Sequence, residues 1–193
     1  MISVSRIDGR GALALAAALL LGTGGPAHAL LGFEVDASLT GGFLTQGGEG
    51  VTSLPVDADA YVSLPVLAKA AVHGLLIGDK RAIEATARFE PLPLPLISLR
   101  PGVGVMQQDL IGTGGLSLYA GLGAHVGLPL IPVSVDAEIG AGLGTGGTVT
   151  TYGVAGTFFP LPLVPLGLTA KVRQYQAGES QVSAALAGLR LSL

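Results

Sequence analysis

The residues of this chain that could do chemistry are few, and most lie two or four positions apart. Glu34 and Asp36, Asp57 and Asp59, Lys69 and His73, Glu84 and Arg88, Asp136 and Glu138, and Lys171 and Arg173 form such pairs, with Arg100 and His125 set singly. A spacing of two places both side chains on one face of an extended strand, whereas a helix would scatter them around its circumference. Tyr61, Tyr119 and Tyr175 stand beside them. Carboxylates, imidazoles and basic groups gathered on one face can pair with one another, line a watery passage or move protons.

The elements that must position these groups follow from the residues between them. In 33–43 (FEVDASLTGGF), Phe33, Val35, Ala37, Leu39, Gly41 and Phe43 alternate with Glu34, Asp36, Ser38, Thr40 and Gly42. The same two-residue period returns in 83–90 and 133–140, which reads as strands with one oily and one polar face. Proline clusters at Pro65, Pro91 to Pro95, Pro129 to Pro132 and Pro160 to Pro165 recur about every 30 residues within similar wording, an internal repeat. Proline cannot donate to a sheet ladder, so the clusters are expected to be turns. Glycine-rich or polar breaks at 46–53, 79–81, 107–115, 145–147 and 177–180 fall between them and suit hairpin loops. Five hairpins follow, giving about ten strands, with eight as the alternative, each about the length of a tilted membrane-spanning strand.

The amino end reads as an address. Arg6 and Arg10 precede an apolar run from Gly11 to Gly22, and Ala27-His28-Ala29 offers a small-x-small cleavage pattern, so residues 1–29 are expected to be a cleaved signal peptide and 30–193 the working domain. Hydrophobic residues make up 49% of the chain and charged residues 12%, yet beyond residue 29 no run reaches the roughly 18 apolar residues of a spanning helix. In hydrocarbon only helices and closed barrels satisfy every backbone amide. The expected fold is therefore all-β: an antiparallel up-and-down transmembrane β-barrel.

Signal peptide, alternation, strand length and even strand number together resemble the bacterial outer-membrane β-barrel proteins, over about residues 30 to 193. No family-specific motif is matched, the chain ends in Leu193 where that class commonly ends in an aromatic residue, and it has no Trp. The resemblance implies export to the bacterial outer membrane, lipid and the barrel-assembly machinery as partners, glycine-rich loops outside and proline turns in the periplasm. Its polar faces would then converge on the lumen, either as a salt-bridged and mostly filled interior or as a narrow porin-like pore for small solutes. In a filled lumen, Arg88→Ala or Arg173→Ala would raise conductance. Ten strands also resembles the omptin proteases, which would credit Asp57, Asp59 and His73 with a role at the external rim. The chain is short for that family and lacks its motifs, and Asp57 and Asp59 are expected to pair with Lys69 or line the wall.

Other chemistry is poorly provided for. There is no Gly-x-Ser-x-Gly elbow, and the glycine run 140–147 lacks the Lys-Ser/Thr of a phosphate loop. The absence of cysteine excludes thiolate metal sites, and the three histidines have no metal-ligand spacing. Without residues 1–29 the formal charge falls to −4, because Arg6, Arg10 and Asp8 leave with them, which argues against nucleic acid. No catalysis, cofactor or metal is expected. The competing reading is a secreted soluble β-barrel or β-sandwich that binds an apolar ligand or a protein partner. It differs in which face is enclosed.

Overall fold

The structure, a computed structural model, describes residues 35–47, 49–51, 54–64, 68–90, 97–111, 114–128, 131–160 and 164–192. The expected signal peptide and Glu34 lie outside them. The elements are β1 (Val35–Gln46), β2 (Glu49–Val51), β3 (Pro55–Leu64), β4 (Ala68–Ile77), β5 (Lys80–Phe89), β6 (Ile97–Gln108), β7 (Gly115–Leu128), β8 (Val133–Gly144), β9 (Gly147–Phe158), β10 (Leu166–Ala177) and β11 (Ser180–Ser192). All pairings are antiparallel and follow chain order, and β11 pairs back onto β1 from Asp36↔Ser192 to Gln46↔Val182. β2 and β3 both pair with β1 and occupy one position in the wall, so the barrel has ten staves and no open edge.

Two details differ from the sequence reading. The break expected over 46–53 is narrower, because the ladder runs on through Gln46↔Glu49 and turns at Gly47, whose φ of 61° suits glycine. Pro101, outside the proline clusters, lies within β6. It pairs with Leu122 of β7, but on its other side the β5 ladder ends one residue earlier, at Arg88↔Gly102, so no neighbour there needs the missing N–H. The β4–β5 and β10–β11 turns are matched two-residue hairpins, Gly78-Asp79 and Gly178-Glu179, with glycine φ of 62° and 57° in the first turn position.

Alternation sorts the side chains. Leu39, Phe43, Val72, Phe89, Val103, Leu118, Leu122, Ile139, Val154, Leu168, Val172 and Leu189 face outward and are exposed. Among the described residues, the outward strand positions carry no acidic or basic side chain except Arg81, beside the β4–β5 turn. The interior has two strata. Toward the glycine-rich loops, Leu44, Leu75, Ile77, Met106, Tyr119, Val149, Tyr175, Val182 and Leu186 form one apolar cluster. Toward the proline turns, the enclosed side chains are mostly ionic.

Large and small residues interlock between strata. Tyr119 lies across Gly140, where an added Cβ would meet its ring and hydroxyl, and that hydroxyl bonds Thr151 at 2.9 Å and Glu138 at 3.1 Å. Gly140→Val is expected to push the ring aside and cost about 1–3 kcal/mol, read as a lower unfolding midpoint. Gly156→Ala, where an added Cβ meets nothing within 4 Å, should change the midpoint little.

Candidate functional site

The enclosed ionic stratum is assembled from nine of the ten staves, all but β9. Near its centre Lys171 Nζ contacts both Asp57 and Asp59, and His73 Nε2 lies 2.5 Å from Asp57 Oδ2. Asp59 and His73 are register partners across β3 and β4, and His73 and Glu84 across β4 and β5. Arg173 bonds Glu84 at 2.7 Å and stacks over Tyr175, with its guanidinium carbon 5.8 Å from the ring centroid. Arg88 grips Glu138 with both oxygens at 2.8 Å and lies over Tyr61.

Nearer the proline turns the network loosens. Asp136 receives Arg190 at 2.7 Å and His125 at 2.8 Å, with Arg100 at 3.6 Å; Arg190 also reaches Asp36 at 3.4 Å. Lys69 lies 3.2 Å from Glu90 and Arg100 3.7 Å from it. Burial opposes ionisation of Glu90, which lies just beyond β5, but hydrogen bonding from Ser98 and Lys69 and the charge of Arg100 hold its carboxyl below the usual range. A cavity of about 50 Å³ opens among Asp36, Asp59, Arg88, Arg100, Glu138 and Lys171. That is room for a few waters.

All the sequence candidates that the structure describes thus face the lumen and make ion-pair contacts there, but the partners differ from expectation in one case. Asp57 and Asp59 do not pair with Lys69. The β3–β4 register sets Lys69 opposite Ser63, two positions beyond the Tyr61↔Ala71 pair, whereas Lys171 reaches the two carboxylates from across the lumen. Asp57, Asp59 and His73 are all buried in the lumen.

Sequence reasoning missed the seal at the loop end. Leu110 and Ile111 lie in the β6–β7 connection, yet are only 2% and 4% exposed. The Gln108 side-chain amide holds that segment by donating to the Ile111 carbonyl at 3.0 Å and accepting from its N–H at 3.1 Å. Asp109 is tied to the Arg81 backbone, donating its own N–H to the Arg81 carbonyl at 2.9 Å and accepting from the Arg81 N–H. The usable signal was two adjacent large aliphatics inside an otherwise polar loop.

No protein-family model matches the chain, and no curated protein matches it in sequence. Among solved structures it is similar to the KdgM porin in complex with disordered oligogalacturonate, at 8% identity over 81% of this chain and 99% of that one, TM-score 0.45. It is similar to the outer membrane protease OmpT from Escherichia coli, at 11% identity over 83% and 96%, TM-score 0.43. It is similar also to the translocator domain of the autotransporter NalP from Neisseria meningitidis, at 11% identity over 93% and 97%, TM-score 0.39. Likeness at this level assigns neither family nor activity, and the chain stands on its own geometry as a closed ten-stave antiparallel barrel, apolar outside and charged within.

Proposed function

We propose that this protein is an integral barrel of a bacterial outer membrane, exported by a signal peptide cleaved after Ala29, with a structural role and no catalysis. The observation that carries this reading is the inverted distribution of side chains. A soluble barrel hides its apolar residues and shows its charges. Here Glu84 and Arg173 are buried, while Leu118, 72% exposed, and its outward neighbours form an apolar belt. So large a contiguous oily surface marks a contact with lipid or protein, and its continuity around a closed barrel fits lipid, with insertion by the barrel-assembly machinery. On this reading the glycine-rich loops face outward and the proline turns face the periplasm.

The lumen is closed by two successive layers, the ion network and the apolar cluster capped by Leu110 and Ile111. Passive flow of solutes is therefore not the resting role, and the cavity is a vestibule entered from the turn end. Because the apolar layer stands behind the ions, Arg88→Ala alone is expected to leave the barrel shut, unlike the outcome for a lumen blocked by salt bridges only. The burial of Asp57, Asp59 and His73 beneath that seal, with Lys171 on both carboxylates, supports a reading without proteolysis.

Envelope fractionation and gel mobility test the proposal. The protein should partition with the outer membrane, run differently before and after boiling, and give no sustained conductance in a planar bilayer. Recovery from the soluble periplasmic fraction without a heat-dependent shift would overturn the membrane reading. Steady conductance from the unmodified protein would overturn the closed lumen.

A further inference from the structure

We infer that Asp57, Asp59 and His73 form a site for a first-row divalent cation inside the barrel, for which zinc is the suitable probe. One donor atom from each of the three lies within 4.8 Å of the others. The residues sit on two adjacent strands in fixed register, with Asp59 opposite His73 and Asp57 two positions along β3. The ladder, and not a loop, sets their separation.

The contacts already made divide each carboxylate into an outer and an inner oxygen. Asp57 Oδ1 accepts from Thr40 at 3.3 Å and Asp59 Oδ2 from Ser38 at 2.9 Å, and Lys171 Nζ contacts both of these outer oxygens. The inner oxygens turn to one nitrogen: Asp57 Oδ2 is 2.5 Å and Asp59 Oδ1 3.8 Å from His73 Nε2. Asp59 Oδ1 supplies an independent sign of a missing partner. The residue is 7% exposed, and this oxygen has no hydrogen-bond donor among the described residues. A buried carboxylate oxygen left bare is costly, and a cation at the inner face would satisfy it.

The far side of the ring is arranged to match. His73 Nδ1 lies 3.4 Å from Tyr175 Oη and 3.8 Å from Glu84 Oε1. Outer partners of this kind fix the tautomer of a metal-binding imidazole and leave Nε2 toward the ion. Asp59 also lines the cavity at the turn end, which offers a route in. One imidazole nitrogen with two carboxylate oxygens suits zinc or its neighbours, whereas calcium requires more oxygens and magnesium keeps most of its water. Lys171 does not fill this position, because its contacts are with the outer oxygens. The ion would stand between Asp57 Oδ2 and His73 Nε2, and would tie β3 to β4.

The folded barrel, purified in detergent without an affinity tag, is dialysed against zinc chloride. About one equivalent should be retained. His73→Gln and Asp59→Asn should each weaken binding by at least about ten-fold, while His125→Gln leaves it unchanged. Each variant is first shown to keep the wild-type heat-dependent mobility. Cobalt in place of zinc should give visible absorption bands that are absent from His73→Gln. No zinc retained by the wild type overturns the site, as does binding that survives both His73→Gln and Asp59→Asn, or that is lost only with His125→Gln. The gel shift reads the barrel separately, so a failed metal site and a failed membrane assignment are distinguishable.

Discussion

Replacing Val154 by arginine is expected to lower the stability of the lipid-embedded protein by about 2–4 kcal/mol, the cost of a cation on the lipid face near mid-bilayer. Val154 lies in the middle of β9, 56% exposed, between Ala137 of β8 and Val172 of β10, with no carboxylate on the outward face of any of the three strands. Arginine at Thr148, on the same face beside the β8–β9 turn, should cost at most about 1 kcal/mol because it reaches water. Urea unfolding in lipid vesicles reads both. If Val154→Arg falls within about 0.5 kcal/mol of wild type, as exposed positions of soluble proteins usually do, the belt does not face hydrocarbon.

The second large effect concerns charge inside the barrel. Arg173→Met should destabilise by about 3–5 kcal/mol, since it strands Glu84 without its charged partner. Arg173 is 4% exposed, and the Tyr175 hydroxyl at 3.3 Å would be the main bond left to Glu84 Oε1. Glu84→Gln combined with Arg173→Met should cost distinctly less than the sum of the two single changes, because no unpaired ion remains. A double-mutant cycle on the unfolding midpoints measures that coupling. If Arg173→Met costs under about 1 kcal/mol, the pair behaves as a surface ion pair and the lumen is wet throughout. A dry, coupled pair supports the filled interior.

Much of the fold was legible because it rests on local periodicity. Alternation in 33–43, 83–90 and 133–140 announces strands, and proline and glycine spell out where they stop. The same alternation places the charged residues together on one face. The two-layered interior was not legible. In β4 the run Ala70 to Ile77 is apolar on both faces apart from His73 and Gly74, and nothing in Leu75 or Ile77 marks them as enclosed while Val72 faces outward. Leucine serves lipid contact and interior packing equally well, so only closure of the barrel separates the two.

The makeup of the central cluster was hidden for a different reason. Asp57 and His73 are brought together by the β3–β4 register, and Lys171 by the circumference of the barrel, neither of which leaves a short spacing in the chain. The inward fold of Leu110 and Ile111 depends on the Gln108 amide, a local device without a periodic signature.

The ion pairs across the lumen join distant parts of the chain. Lys171 is 114 residues from Asp57 and 112 from Asp59, and Arg173 is 89 from Glu84. These pairs between the first and second halves can form only when β11 has met β1. A one-residue slip at that seam would turn Arg190 from the lumen into the oily face. A two-residue slip would keep the faces but displace Arg190 from Asp36 across the seam. The network therefore favours the correct frame, since a barrel zipped in a wrong one would be left with unmatched interior charge.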